Sequence, residues 1–194
     1  MLQDGFLDLN KPLHVRKGCL PHWRQDGGLY FVTFRLADSL PQSRLLELRR
    51  EWLLWQRNHR NPAQEVLETF TLMQRRRIEK WLDQGSGSCV LRFPAARAIV
   101  RAALEYFDGT RYELGPHTIA ANHVHVLVRM ALGIDLSEAL HSWKRYSSRE
   151  ISKLQDVSHV MNGRGHLSQV ESFDHIVRDQ RSLERYIQYI QSHR

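Results

Sequence analysis

The segment ANHVHVLV, residues 121–128, constrains the fold more than any other stretch of this chain. Valine occupies every second position, and β-branched residues at this spacing are typical of a strand with one buried face. Because successive side chains of a strand point to opposite faces, the valines lie together on one face, and His123 and His125 lie together on the other. We therefore expect a strand that packs against a core on one side and presents two imidazoles on the other.

The remaining periodicities predict an α+β chain. A strand is expected at residues 29–36. Residues 111–130 are expected to form two strands separated by a break, with Gly115-Pro116 as a bulge in the first. Helical spacing of apolar residues predicts helices at residues 43–57, 72–82, 94–109, 135–154 and 183–194, and Gly- and Ser-rich runs predict loops at 83–88 and 162–167. This order suggests a split βαβ, ferredoxin-like antiparallel sheet with helices packed on it, and inserted helices at about residues 41–92.

The length and composition of the chain predict one domain. The chain has 194 residues and a net charge of +7, which favours a polyanionic partner or reflects solubility alone. We expect an N-terminal arm at residues 1–20 and a single domain at residues 21–194. Two well-separated cysteines indicate a reduced compartment, and no segment resembles a signal peptide or a membrane span. A cytoplasmic location without a membrane partner is therefore expected.

Two histidines on one strand face favour a divalent metal site. A His-x-His strand supplies two imidazole ligands from one element, with a third ligand from elsewhere. The alternative is an inert, hydrogen-bonded pair at a sheet edge, and the spacing alone does not separate the two. A histidine-triad nucleotide hydrolase is excluded, because the third alternate position is Leu127.

The C-terminal helix adds a tyrosine and a third histidine. In the segment RYIQYIQSHR, Tyr189 and His193 stand four residues apart and so share one helix face. On a helical wheel Tyr186 leans toward the apolar stripe, whereas Tyr189 lies further round. Tyr186 is therefore assigned to packing and Tyr189 to a site. The alternative is a surface tyrosine followed by a histidine that the helix dipole favours.

Several segments in this order resemble the REP-associated tyrosine transposases, which belong to the HUH (His-hydrophobic-His) single-strand DNA transposases. The resemblance covers most of the chain and rests on LPHWRQDGGLYFVTFRLADSLP, FDGTRYELGPHTIAANHVHVLV, LHSWKRYSSREIS and SFDHIVRDQRSLERYIQYI. It implies a domain that cuts and rejoins single-stranded DNA next to hairpins. The reaction would leave a 5′-phosphotyrosine bond and a free 3′-OH.

The resemblance also implies the site residues. His123 and His125 match the family's metal-binding pair, which binds Mg²⁺ or Mn²⁺. The family ends its motif with Tyr-Ile, two variable residues and Asn-Pro, so Tyr189 matches the nucleophile. His193 and Arg194 stand where Asn and Pro are usual, which places His193 in the position of the third metal ligand.

Basic residues around these motifs are the candidates for holding DNA, since contacts to phosphates dominate binding to nucleic acids. The expected contacts come from Lys144, Arg145, Arg149, Arg178 and Arg185. For Trp143, packing in the core is favoured over stacking on an unpaired base. The run Arg75-Arg76-Arg77 either contacts a hairpin stem or forms an exposed helix face, and the same two alternatives are open for Arg178 and Arg185.

Two other functions fit the same residues. One is a protein that binds DNA hairpins but has lost catalysis through its altered C-terminal motif. The other is a metal-dependent phosphoesterase that uses water, with Tyr189 incidental. For the transposase, the expected partner is single-stranded DNA with hairpins, the expected location is cytoplasmic and associated with the nucleoid, and the protein is a monomer or a homodimer.

Overall fold

The computed structural model describes residues 2, 4–16, 22–60, 62–157 and 172–193. Its strands are β1 (His14–Arg16), β2 (His22–Arg24), β3 (Leu29–Arg35), β4 (Tyr112–Ile119), β5 (His123–Met130) and β6 (Phe173–Ile176). Its α-helices are α1 (Gln42–Asn58), α2 (Gln64–Leu82), α3 (Pro94–Glu105), α4 (Leu136–Ile151) and α5 (Gln180–Ser192). No helix within these ranges is long and apolar enough to cross a membrane.

Four strands form one antiparallel sheet in the order β4-β5-β3-β6, and β1 pairs with β2 in a separate ribbon. Strand β5 lies between β3 and β4, antiparallel to both. Because β3 and β4 are joined through helix α3, this is the split βαβ arrangement that the sequence predicts. The ferredoxin-like α+β fold is confirmed, as are the helices inserted between the first sheet strand and α3. A register shift between Leu114 and His117 marks the expected bulge in β4.

One face of the sheet, called the core face here, packs against α3 and α4. The valines of β5 are fully buried on it, together with the apolar side of α3, where Pro94 begins the helix. Trp143 of α4 is 1% exposed, and its indole N–H donates to the hydroxyl of Tyr112 at 2.8 Å. That hydroxyl donates to the carbonyl of Leu104. Trp143 is therefore a core residue, as favoured from the sequence.

The opposite face, called the site face here, carries the two histidines of β5. Phe31 of β3 and Leu127 of β5 form an apolar cluster there with Leu183 and Ile190 of α5. Helix α2 covers the neighbouring part of this face, and its Ile78 and Leu82 pack with Leu40. Thus α2 and α5 together enclose the site face.

Three features were not predicted, and the first is that α2 begins at Gln64 rather than at residue 72. Strand β6 has the sequence FDHI, which lacks the apolar–polar alternation of a half-buried strand. Its Asp174 is buried on the core side, where His22 and Arg24 of β2 hold its carboxylate. The ribbon β1-β2 begins inside the expected arm, and the amide of Leu7 donates to the carbonyl of Val177 at 2.8 Å. The division of the chain at residue 20 stays a prediction, and the predicted loop at 162–167 lies outside the described residues.

Candidate active site

Strand β5 holds His123 and His125 in the interior of the sheet. They are 2% and 0% exposed, and their ring centroids lie 4.6 Å apart. His125 is flanked by Thr33 of β3 and Thr118 of β4 in the strand register. A central strand paired on both sides fixes the backbone, so the two rings share the site face as the sequence predicts.

Asn122 determines the tautomer of His123. The side-chain nitrogen of Asn122 donates to the carbonyls of Leu82 at 3.1 Å and Ser86 at 3.0 Å. Its oxygen, Oδ1, therefore faces Nδ1 of His123, 2.8 Å away, and Nδ1–H must be the donor. The lone pair of the neutral ring is then on Nε2, the atom that this orientation leaves free for a metal.

The Nε2 atoms of both histidines are buried without a hydrogen-bond partner. Buried polar atoms are normally satisfied, so two adjacent unpartnered nitrogens indicate a group that binds between them. Burial, assisted by His193 and opposed by Asp83, lowers the pKa of His123 to about 4. Burial and the neighbouring histidines hold the pKa of His125 well below 6.5. Both rings are neutral at pH 7, and this donor set fits a divalent metal ion.

Helix α5 places Tyr189 and His193 over the histidine pair. The ring of Tyr189 lies 5.1 Å from that of His125 and 4.1 Å from that of His193, measured between centroids. The end of the helix is held on the sheet, because Thr118 donates its hydroxyl to the carbonyl of His193 at 3.0 Å. The structure thus brings together the four residues of the predicted site, His123, His125, Tyr189 and His193.

The two tyrosines of α5 have different environments. The ring of Tyr186 stacks on Phe31 with centroids 4.5 Å apart, and its hydroxyl accepts a hydrogen bond from Arg75 at 3.0 Å. The hydroxyl of Tyr189 is buried and has no hydrogen-bond partner. Tyr186 is therefore a packing residue with a satisfied hydroxyl, and Tyr189 keeps a free hydroxyl beside the histidines.

The surroundings of Tyr189 disfavour its ionised form. Burial raises the pKa of its hydroxyl above the usual value of 10, and the carboxylates of Glu79 and Asp83 add to this effect. Arg75 opposes it. At neutral pH the side chain is therefore a phenol, and it needs a further positive charge to act as a nucleophile.

The structure adds to this site two residues of α2 whose place there the sequence did not indicate. Arg75 is 6% exposed, with its guanidinium over the rings of Phe31 and Tyr186, at 4.5 and 4.9 Å from their centroids. Asp83, at the end of α2, has Oδ1 at 3.4 Å from Nε2 of His193. Neither position has a local signal, because only the packing of α2 on the site face brings them there. For Arg75, the expectation of an exposed helix face is wrong.

A cavity of about 370 Å³ opens beside Tyr189 between α2, β6 and α5. Four arginines, Arg75, Arg76, Arg178 and Arg185, line it together with the two carboxylates of Glu79 and Asp174, so the lining is basic on balance. Two of the five residues expected to contact DNA, Arg178 and Arg185, thus line the same cavity as the candidate nucleophile. A polyanion that entered this cavity would meet several positive charges before it reached Tyr189.

The other three residues expected to contact DNA lie on α4. That helix packs on the core face, so Lys144, Arg145 and Arg149 lie on the opposite side of the sheet from Tyr189. Arg145 and Arg149 are exposed and line a shallow depression with Arg111. The structure therefore divides the expected DNA contacts between two separate surfaces.

Comparison with known proteins gives a family. Residues 95–193, just over half of the chain, match the model of the IS200-like transposases, whereas no curated protein sequence matches. One similar solved structure is a REP-associated tyrosine transposase bound to a REP hairpin. It has 12% sequence identity and a TM-score of 0.44, and the match covers 86% of this chain and 66% of that one. From the family match, which includes the two histidines of β5 and all of α5, the chain belongs to the IS200-like transposases.

Proposed function

We propose that this transposase cuts and rejoins single-stranded DNA beside hairpins, with Tyr189 as the nucleophile and Mg²⁺ or Mn²⁺ bound by His123, His125 and His193. The observation that carries the proposal is the hydroxyl of Tyr189, buried without a partner next to two unpartnered histidine nitrogens. Family membership supplies the general activity, DNA transposition.

The reaction assigned to Tyr189 is a phosphoryl transfer. Its oxygen attacks the scissile phosphorus, the bond from phosphorus to the 3′ oxygen of the preceding nucleotide breaks, and a 5′-phosphotyrosine forms. The phenol releases its proton, and the departing oxygen takes one up to give a 3′-OH. Because one phosphodiester replaces another, a 3′-OH can later reverse the step and join a new strand.

The residues of this chain have separate tasks in that step. His123 and His125 present neutral Nε2 atoms, which Asn122 and Thr33 orient through Nδ1. A bound divalent cation supplies Lewis acidity at the scissile phosphate and favours the ionised form of the tyrosine. Tyr186 and Arg75 pack α5 on the sheet and so keep Tyr189 in reach.

The DNA would occupy two surfaces. Arg178 and Arg185 line the cavity that Tyr189 also lines, and they are assigned to the single-stranded segment that carries the scissile phosphate. Arg145 and Arg149, on the other side of the sheet, are assigned to the hairpin or to a more distant part of the strand. Lys144 neighbours them on α4 and is assigned with them.

The test is the formation of a covalent adduct. The protein and Mn²⁺ are mixed with end-labelled hairpin oligonucleotides that carry single-stranded flanks, and the products are separated on denaturing gels. The wild type is expected to form an adduct whose peptide maps to Tyr189. Tyr189→Phe, which removes only the unpartnered hydroxyl, should abolish the adduct and leave hairpin binding unchanged. Tyr186→Phe is the matched control on the same helix and should retain the adduct.

The same experiment separates the alternatives. An adduct that persists in Tyr189→Phe would show that another residue is the nucleophile. Hairpin binding without an adduct, in the presence of any divalent metal, would identify a binding protein that lacks catalysis. This alternative is favoured by the raised pKa of Tyr189. Metal-dependent cleavage without an adduct would identify water as the nucleophile.

A further inference from the structure

Asp83 lies at the point where α2 ends above the two histidines of β5. Its Oδ1 is 3.9 Å from Nε2 of His123 and 3.4 Å from Nε2 of His193. Asp83 precedes residues 95–193, the region that matches the transposase family. The inserted helix thus brings a carboxylate to a site whose other members belong to the family region.

The facing atoms of Asp83 and His123 are both acceptors. The hydrogen bonds of Asn122 place the ring proton of His123 on Nδ1, so its Nε2 presents a lone pair to the carboxylate oxygen. Two acceptors at this separation do not bond to each other. A cation between them would satisfy both, since ligands about 2.1 Å from one ion lie about 3.0–3.6 Å apart.

We propose that Asp83 is a metal ligand, so that the ion is held by the histidines and by a carboxylate from the inserted helix. This inference rests on the proposed function, which supplies the ion. A carboxylate also suits the hard cations Mg²⁺ and Mn²⁺ better than a set of imidazoles alone, which suits zinc or copper.

The histidines are fixed, and Asp83 is the member that can adjust. No three histidine, cysteine or carboxylate side chains in the described ranges already have the arrangement of a metal site. His123 and His125 are buried and hydrogen-bonded at Nδ1, whereas the side chain of Asp83 is 42% exposed. Closing the site therefore falls to the carboxylate, which already faces Nε2 of His123 and Nε2 of His193, the atoms that the ion would join to it.

The test is the binding of Mn²⁺ and Zn²⁺ alone to the full chain, by calorimetry at pH 7. Asp83→Asn keeps the shape of the side chain and removes its charge, and it should weaken Mn²⁺ binding at least tenfold and Zn²⁺ binding less. Glu105→Gln removes the same charge from an exposed position at the end of α3 and should bind both ions as the wild type does. Thermal unfolding without metal verifies that each variant is folded.

The possible results separate the inference from the proposed function. Wild-type affinity in Asp83→Asn, together with weakened binding in His125→Gln, would overturn the role of Asp83 alone. An equal loss of affinity for Mn²⁺ and Zn²⁺ in Asp83→Asn would overturn the role of Asp83 as a ligand and indicate that it only positions His193. If the wild type binds neither ion, the metal part of the proposed function fails together with this inference.

Discussion

At the scale of the residue, the hydrogen bond at Nδ1 decides what each histidine can do. Thr33 is the partner of His125, with Oγ1 2.8 Å from Nδ1, and the pair is fully buried. Partners of this kind orient a metal-binding imidazole and raise its basicity, and their loss costs about 10–100-fold in metal affinity.

We therefore expect Thr33→Val, which keeps the shape of the side chain, to weaken Mn²⁺ binding about tenfold or more. The unmet Nδ1 should also lower the free energy of unfolding by about 1–3 kcal/mol. Calorimetry and urea unfolding measure the two effects. Thr110→Val, at an exposed turn, is the control and should change neither. Unchanged Mn²⁺ affinity in Thr33→Val would show that this hydrogen bond does not support the site.

His175 is a second residue whose protonation is controlled by its neighbours. It lies beside Phe31 in the strand register, and burial together with the positive charge of Arg75 lowers its pKa to about 3. The unfolded chain, with a pKa near 6.5, takes up this proton first as the pH falls. Stability is therefore complete above about pH 6.5 and is lost as the pH falls toward 3.

Replacing His175 by Gln should make the free energy of unfolding depend less on pH in this range. Between about pH 6 and 4, the slope of the free energy of unfolding against pH should fall by up to about 1.4 kcal/mol per pH unit, the value for one proton. Urea unfolding at several pH values measures the slope. His141→Gln removes an exposed histidine of α4 and is the control. A slope equal to that of the wild type in His175→Gln would mean that His175 is not held neutral.

At the scale of the element, the sequence predicted what local periodicity encodes. The valines of β5 and the apolar side of α4 gave the correct strand, helix and core face, and the place of His123 and His125 followed from the same alternation. Arg75 and Asp83 could not be found in this way, because their places at the site depend on the angle at which α2 crosses the site face. Strand β6 was missed because its buried aspartate finds its partners only in tertiary contact with β2.

The position of α2 depends on a small apolar cluster. Ile78 and Leu82 are 2% and 1% exposed and pack with Leu40 and with Phe173 of β6. We expect Ile78→Ala to lower the free energy of unfolding by about 2–5 kcal/mol, because it removes buried methyl groups and leaves a cavity. Chemical denaturation measures this loss. Leu54→Ala on α1, at a position that is 49% exposed, should lower the free energy of unfolding far less. If Ile78→Ala costs as little as Leu54→Ala, α2 is not anchored through this cluster.

At the scale of the whole molecule, the sheet separates two basic surfaces. Arg178 and Arg185 line the cavity beside Tyr189, while Arg145 and Arg149 lie on α4, which packs on the core face. If a single-stranded segment binds the first surface and a hairpin binds the second, the DNA between them must pass around an edge of the sheet. The salt dependence of binding can resolve the two surfaces, because each phosphate contact releases a counterion.

The double variant Arg145→Ala/Arg149→Ala should reduce the slope of log affinity against log salt by about two for a flanked hairpin, and leave it unchanged for an unstructured single strand. Arg178→Ala/Arg185→Ala should reduce the slope for both DNAs, because every substrate must pass Tyr189. Fluorescence anisotropy at several salt concentrations gives these slopes, and Arg49→Ala/Arg50→Ala, on the exposed side of α1, corrects for net charge. If the α4 variant keeps the wild-type slope on the hairpin, α4 makes no phosphate contact, and the cavity side of the sheet must bind the whole substrate.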